Sequence, residues 1–128
     1  MITDSIAVLS FVGDAAYELI VRKHVAGAGV IHGDRLHQAA TEYVRSSAQA
    51  GVIRHIFDSL SEEEQLLVKR ARNKKTGTKP KNADPVEYKW STAFEALLGY
   101  YSLTGRDDKL EAVAQRAIQL IDQGFIET

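Results

Sequence analysis

Apolar positions recur at helical spacing along nearly the whole chain, and nowhere do they alternate over a run bounded by turn residues. Over 5–24, Leu9, Val12, Ala16, Leu19 and Ile20, with Phe11 and Ala15 beside them, predict a first helix that Gly27 and Gly29 end. Asp34 is the expected N-cap of a second helix reaching about residue 54, with Leu36, Ala39, Ala40, Tyr43, Val44 and Ala48 on its buried side. Gly51 is where that helix is expected to break or bend. Ser61-Glu62-Glu63-Glu64 has the pattern of a capping box with acids in the first turn, and predicts a helix to about 72. Residues 73–85 hold Gly77, Pro80 and Pro85 and almost no apolar side chain, which predicts a loop. A further helix is expected over 86–103, with Trp90, Phe94, Leu97, Leu98 and Tyr101 as its core face and Gly105 as its stop. The last begins at Asp107 or Asp108, buries Leu110, Val113, Ala114, Ala117, Ile118 and Ile121, and ends before Gly124. The expectation is an all-α fold in which the 128 residues form one domain.

Composition changes this picture in two ways. With no cysteine, a structural disulfide and a thiolate zinc site are both excluded. The apolar stretch 6–12 follows Asp4 without a basic residue before it, is interrupted by Ser10 and is too short to span a bilayer. A soluble cytoplasmic protein is therefore expected. Net charge is −1, but its distribution is uneven. Lys69, Arg70, Arg72, Lys74, Lys75, Lys79 and Lys81 fall in one window without an acid, leaving nine basic residues against 17 acidic ones elsewhere. A charge run is usually a solvated surface. A tract this dense on an acidic body points to a polyanion, with a phosphate backbone as first candidate. A long loop in a small domain also tends to carry function.

Two acids interrupt otherwise apolar helices. Asp14 directly follows Gly13, and a glycine inside a helix costs roughly 1 kcal/mol against alanine, so a packing or access reason is expected for it. Glu18 lies one turn further on the same face. Glu95 shares a stripe with Thr92 and Gly99. Each acid alone reads first as a solvated carboxylate beside a packing glycine. Together they resemble two halves of a divalent-metal site, because magnesium takes hard oxygen ligands and is satisfied by one or two carboxylates with waters and a substrate phosphate. His24, His32, His37 and His55 lack zinc-site spacing, and no nucleophile-elbow, Walker or dinucleotide-binding pattern is present.

Phe11-Val12-Gly13-Asp14-Ala15-Ala16-Tyr17-Glu18-Leu19 resembles the signature helix of the ribonuclease III superfamily. Ser91-Thr92-Ala93-Phe94-Glu95-Ala96-Leu97-Leu98-Gly99-Tyr100 is similar to its second acidic motif. The segment 70–82 narrows the resemblance to the Mini-ribonuclease III branch, a catalytic domain without an appended double-stranded-RNA-binding domain. The resemblance implies a metal-dependent endoribonuclease for double-stranded RNA that leaves 5′-phosphate and 3′-hydroxyl ends. It makes Asp14 the catalytic aspartate and Glu95 the metal-binding glutamate, with Mg2+ as the ion and Mn2+ as the alternative. Ser10 and Thr92 stand where longer family members have acids, as they do in the Mini branch. Phe11, with Val12 beside it, falls at the family's dimer interface, so a homodimer is implied. The RNA-binding residues expected are Lys69, Arg70, Arg72, Asn73, Lys74, Lys75, Lys79 and Lys81. Precursor 23S ribosomal RNA is the implied substrate, with a ribosomal protein as a further partner. The alternative is a catalytically inert duplex-RNA-binding or ribosome-associated protein on the same fold. Such a relative is expected to lose Asp14 or Glu95, and both are present.

Overall fold

A computed structural model describes residues 5–75 and 84–126. Among them there are six α-helices, one 3-10 turn and no strand: α1 (Ile6–Gly27), α2 (Gly33–Val44), α3 (Ser46–Ile56), the 3-10 turn Phe57–Ser59, α4 (Glu62–Asn73), α5 (Pro85–Leu103) and α6 (Asp107–Asp122). The all-α expectation holds, and no helix of the described residues is long and apolar enough to cross a membrane.

Local chemistry accounts for most boundaries. The Ser61 hydroxyl accepts from the Glu64 N–H while the Glu64 carboxylate accepts from the Ser61 N–H, the reciprocal cap that starts α4. Asp84 accepts from the Val86 and Glu87 N–H groups, and Pro85, expected in the loop, instead occupies the first turn of α5, where its missing N–H costs nothing. Gly29 and Gly105 follow α1 and α5 with φ of 90° and 73°, the left-handed turn that stops a helix.

The single helix expected over 34–54 is two. Its N-cap is His32 rather than Asp34, which lies in the first turn of α2. The break falls at Arg45, with ψ of 153°, and not at Gly51. Gly51 lies inside α3, where a Cβ would stand 2.6 Å from the Ile126 side chain. At the break, the carbonyl of Val44 accepts from the Gln49 side-chain amide at 3.0 Å. A side chain one turn into α3 thus satisfies a carbonyl that a continuous helix would have paired through its backbone.

α5 is the central element. It packs against α1, α3, α4 and α6, and buries Phe94, Leu97, Leu98 and Tyr101 as expected, whereas Trp90 is only half-buried. α1 differs more. Its buried stripe is Ile6, Leu9, Gly13, Tyr17, Val21 and Val25; of the residues whose spacing predicted the helix only Leu9 is on it, and Leu19 is exposed. The face of α1 that meets α5 contains Gly13, which lets the two backbones approach.

Candidate active site at the crossing of α1 and α5

Two glycines set the geometry. A Cβ on Gly13 would stand 1.7 Å from the Glu95 carbonyl oxygen, and one on Gly99 would stand 1.8 Å from the Leu9 carbonyl oxygen. No backbone can yield to such an overlap by rotating a bond, so α1 and α5 touch main chain to main chain. The residues next to the contact are brought together with it: Asp14 follows Gly13, and Glu95 carries the carbonyl that Gly13 faces.

The two carboxyls meet there. Asp14 is exposed and Glu95 is half-buried. Burial first, and then the Asp14 charge, push the Glu95 carboxyl up to about 8 from the ordinary 4.5. Hydrogen bonds to Ser10 and Gln49 act in the opposite direction. The Ser10 hydroxyl donates to Glu95 Oε1 at 3.0 Å, so a side chain of α1 grips the acid of the facing helix. Thr92 does not take part: its hydroxyl donates to the Tyr88 carbonyl of its own helix at 3.0 Å. Glu18 turns aside to Arg22, 3.5 Å away, and borders the groove between α1 and α2.

Gln49 is the component that the sequence reading missed. It is 2% exposed, and its amide is committed on several sides. Nε2 donates to Val44, Oε1 accepts from the Ser91 hydroxyl at 2.7 Å, and Glu95 is a further hydrogen-bond partner. Its signal was present: Gln49 falls on the same stripe as the buried Val52, Ile53 and Ile56, a polar residue at a core position.

The oxygen-rich pair suits a hard divalent cation. Two carboxylates, one open to solvent, leave positions for waters and for a phosphate oxygen, as magnesium prefers. Among the described residues no group of three or more His, Cys, Asp or Glu side chains lies together, so a cation held by this pair would take its remaining ligands from water and substrate.

The Glu95 shift has a measurable consequence. Its folded-state value lies above its unfolded one, so its contribution to stability is complete below about pH 4.5 and is lost as pH rises toward 8. With a chelator present, Glu95→Gln is expected to be more stable than the wild type at pH 8 and above. The gain is on the order of 2 kcal/mol once partial solvent access is allowed for. Melting temperatures of the two proteins should converge near pH 4.5, and a gap that does not depend on pH would contradict the assignment.

The basic segment is only partly described. Lys69, Arg70, Asn73, Lys74 and Lys75 are exposed on the end of α4 and just beyond it, and Arg72 is half-buried with its guanidinium over Trp90. Lys79 and Lys81, with Gly77 and most of the expected loop, lie outside the described residues. Phe11 is 80% exposed, and Val12 is half-buried. With Val8 and Leu19, also exposed, they form an apolar stripe on the side of α1 turned away from α5. The four histidines do not converge; His24 lies 3.6 Å from Asp122 and His55 stacks obliquely near Phe125.

The Ribonuclease III domain family matches residues 7–106. The Mini-ribonuclease 3 of Brevibacillus brevis is 43% identical over 115 residues, covering 90% of this chain and 86% of its own. That of Streptococcus pneumoniae is 40% identical, covering 89% of this chain and 91% of its own. Among solved structures, protein FN1578 from Fusobacterium nucleatum superposes with a TM-score of 0.77 at 31% identity, over 87% of this chain and 88% of that one.

Proposed function

The chain belongs to the ribonuclease III family, and on that premise we propose that Asp14 and Glu95 are the residues with which it hydrolyses RNA. It is an endoribonuclease specific for double-stranded RNA. The finer reading is that residues 1–128 act as one catalytic unit whose two carboxylates hold Mg2+, with Mn2+ able to replace it. The observation that supports this is the meeting of Asp14 and Glu95 across a glycine-to-glycine helix contact, close enough for the charge of one to raise the other.

When bound, the ion supplies Lewis acidity toward water and the phosphoryl group. The chain supplies the rest. Asp14, exposed beside Gly13, faces the side from which a phosphodiester arrives. Glu95 is held by Ser10 and Gln49 and has little freedom to follow a wrongly placed substrate. Lys69, Arg70, Asn73, Lys74 and Lys75 offer charge and hydrogen bonds to the duplex backbone, which is recognised by shape, phosphate and 2′-hydroxyl contacts. Products would carry 5′-phosphate and 3′-hydroxyl ends. Precursor 23S ribosomal RNA is the proposed cellular substrate, with cytoplasmic location and a ribosomal protein as an accessory partner. The direct test incubates the protein with duplex and with single-stranded RNA, in magnesium and in chelator. Cutting restricted to duplex with magnesium is expected; equal cutting of single strands, or cutting in chelator, would reject the reading.

Cutting both strands calls for two sites, and the apolar stripe on α1 supports a homodimer through Phe11 and Val12. An aromatic left 80% exposed on the catalytic helix is a candidate anchor for a two-fold contact. Phe11→Ala is expected to weaken the dimer and to convert paired cuts into single-strand nicks. Sedimentation at micromolar concentration and native gels of the cut RNA would show both. A wild type that is monomeric yet makes paired cuts would contradict the dimer.

A further inference from the structure

Three elements converge on Trp90 of α5. The guanidinium carbon of Arg72, on α4, lies 4.9 Å from the indole centroid, and that of Arg54, on α3, lies 6.0 Å from it. Phe57, in the 3-10 turn, packs edge-on against the same ring, and Lys69 lies over Phe57 with its Nζ 5.8 Å from the ring centre. Three cations thus share two touching aromatic rings. Among the described residues none has a carboxylate within ion-pair distance. Glu87 borders the same hollow as Arg54 but makes no ion pair with it.

The hydrogen bonds point the same way. Arg54 Nε donates to the Ala50 carbonyl and Arg72 Nε to the Asn73 side chain. The terminal Nη groups of both have no acceptor among the described residues. A guanidinium held over an aromatic ring keeps its outer N–H groups free, and that fork matches a phosphate. Two like charges held at one ring repel each other, and an arriving anion relieves the repulsion.

We propose that Arg54, Arg72 and Trp90 form a preorganised clamp for a backbone phosphate of the RNA duplex, with Lys69 as an added charge. The clamp rests on the duplex-cutting reading above and adds Arg54, which lies outside the basic segment. It does not hold the phosphate being cut. Trp90 precedes Glu95 by five residues on α5, an axial step of about 7.5 Å and a turn of roughly 140° around the helix, which places it on a different face. The clamp therefore fixes the duplex at a distance from the reacting group and helps determine which phosphodiester reaches Asp14.

The test is made in the Asp14→Asn background, so that binding is measured without cutting. Fluorescence anisotropy with a labelled RNA duplex, over a range of KCl concentrations, gives affinity and salt slope. Arg54→Gln is expected to weaken binding roughly fivefold near 0.1 M salt and to flatten the log–log slope by about 0.9, the value of one phosphate contact. Arg54→Lys keeps the charge but loses the planar fork, so its slope should stay near that of the parent while affinity falls part-way. Arg116→Gln, an exposed arginine on α6, removes the same charge elsewhere and should bind as the parent does. Trp90 is the chain's only tryptophan, so its emission should change on addition of duplex with the same midpoint as the anisotropy. Melting curves confirm that each variant is folded. Parent-like affinity and slope in Arg54→Gln would overturn the clamp, as would an equal loss in Arg116→Gln. Either result, with wild-type duplex cutting intact, leaves the proposed function standing. A wild type that fails to cut duplex in magnesium would instead remove the reading on which the clamp rests.

Discussion

Asp14→Asn and Glu95→Gln are each expected to reduce duplex cleavage by about a thousandfold or more while leaving the fold intact. Each substitution removes one group able to present a carboxylate to a metal, and almost no volume. If metal-assisted charge stabilisation is worth several kcal/mol and each 1.36 kcal/mol is tenfold in rate, the loss of one ligand charge reaches that size. The two variants should differ in another respect. Glu95→Gln retains one oxygen, able to accept from Ser10. Asp14→Asn removes the charge that helps to raise Glu95, so the remaining carboxyl should become easier to ionise. Cleavage followed against magnesium concentration, with circular dichroism and melting as controls, checks both. Full activity in either variant at ordinary magnesium would mean that the chemistry lies elsewhere.

Gly13→Ala and Gly99→Ala are expected to be severely destabilising, although alanine is ordinarily the better helix former. The overlaps of 1.7 and 1.8 Å are with backbone carbonyl oxygens, so relief requires one helix to move away from the other. Overpacking typically costs 1–3 kcal/mol, and a clash with main chain belongs at about 3 kcal/mol or beyond. That is a large part of the stability of a small domain, commonly 5–15 kcal/mol. Activity should fall further for Gly13→Ala than for Gly99→Ala at similar loss of stability, because Gly13 faces the carbonyl of Glu95 itself. Thermal unfolding, with cleavage assayed well below each transition, separates the two effects. A Gly13→Ala protein that melts like the wild type would show that the helices are not in backbone contact.

Much of this was readable in the chain, and the omissions have physical reasons. The helices follow from period, caps and glycine stops, because those are local signals. The break at Arg45 is not local: no glycine or proline marks it, and the Gln49 side chain, placed by tertiary packing, competes for the Val44 carbonyl. For the same reason the period alone did not say which stripe of α1 faces inward. Apolar residues lie on both faces of α1, and the close approach at Gly13 goes with the face that meets α5. The two glycine–acid pairs stood out because each broke a rule of helix composition. Gln49 also broke one, but a glutamine between two alanines reads as a surface residue until its stripe is counted against Val52, Ile53 and Ile56. The Arg54–Trp90 contact joins residues 36 apart on different helices and has no signature in the order of residues.

α1 presents Phe11 outward and Asp14 toward the site, three residues and about 4.5 Å apart along one rigid helix. In a two-fold assembly through Phe11, that short span works as a fixed gauge. The offset between the nicks in the two strands is then a property of α1 and its contact, set without reference to the residues that grip the duplex further out. Where the duplex is opened and how far apart its two ends fall become separate properties, carried by different parts of the molecule and open to alteration one at a time.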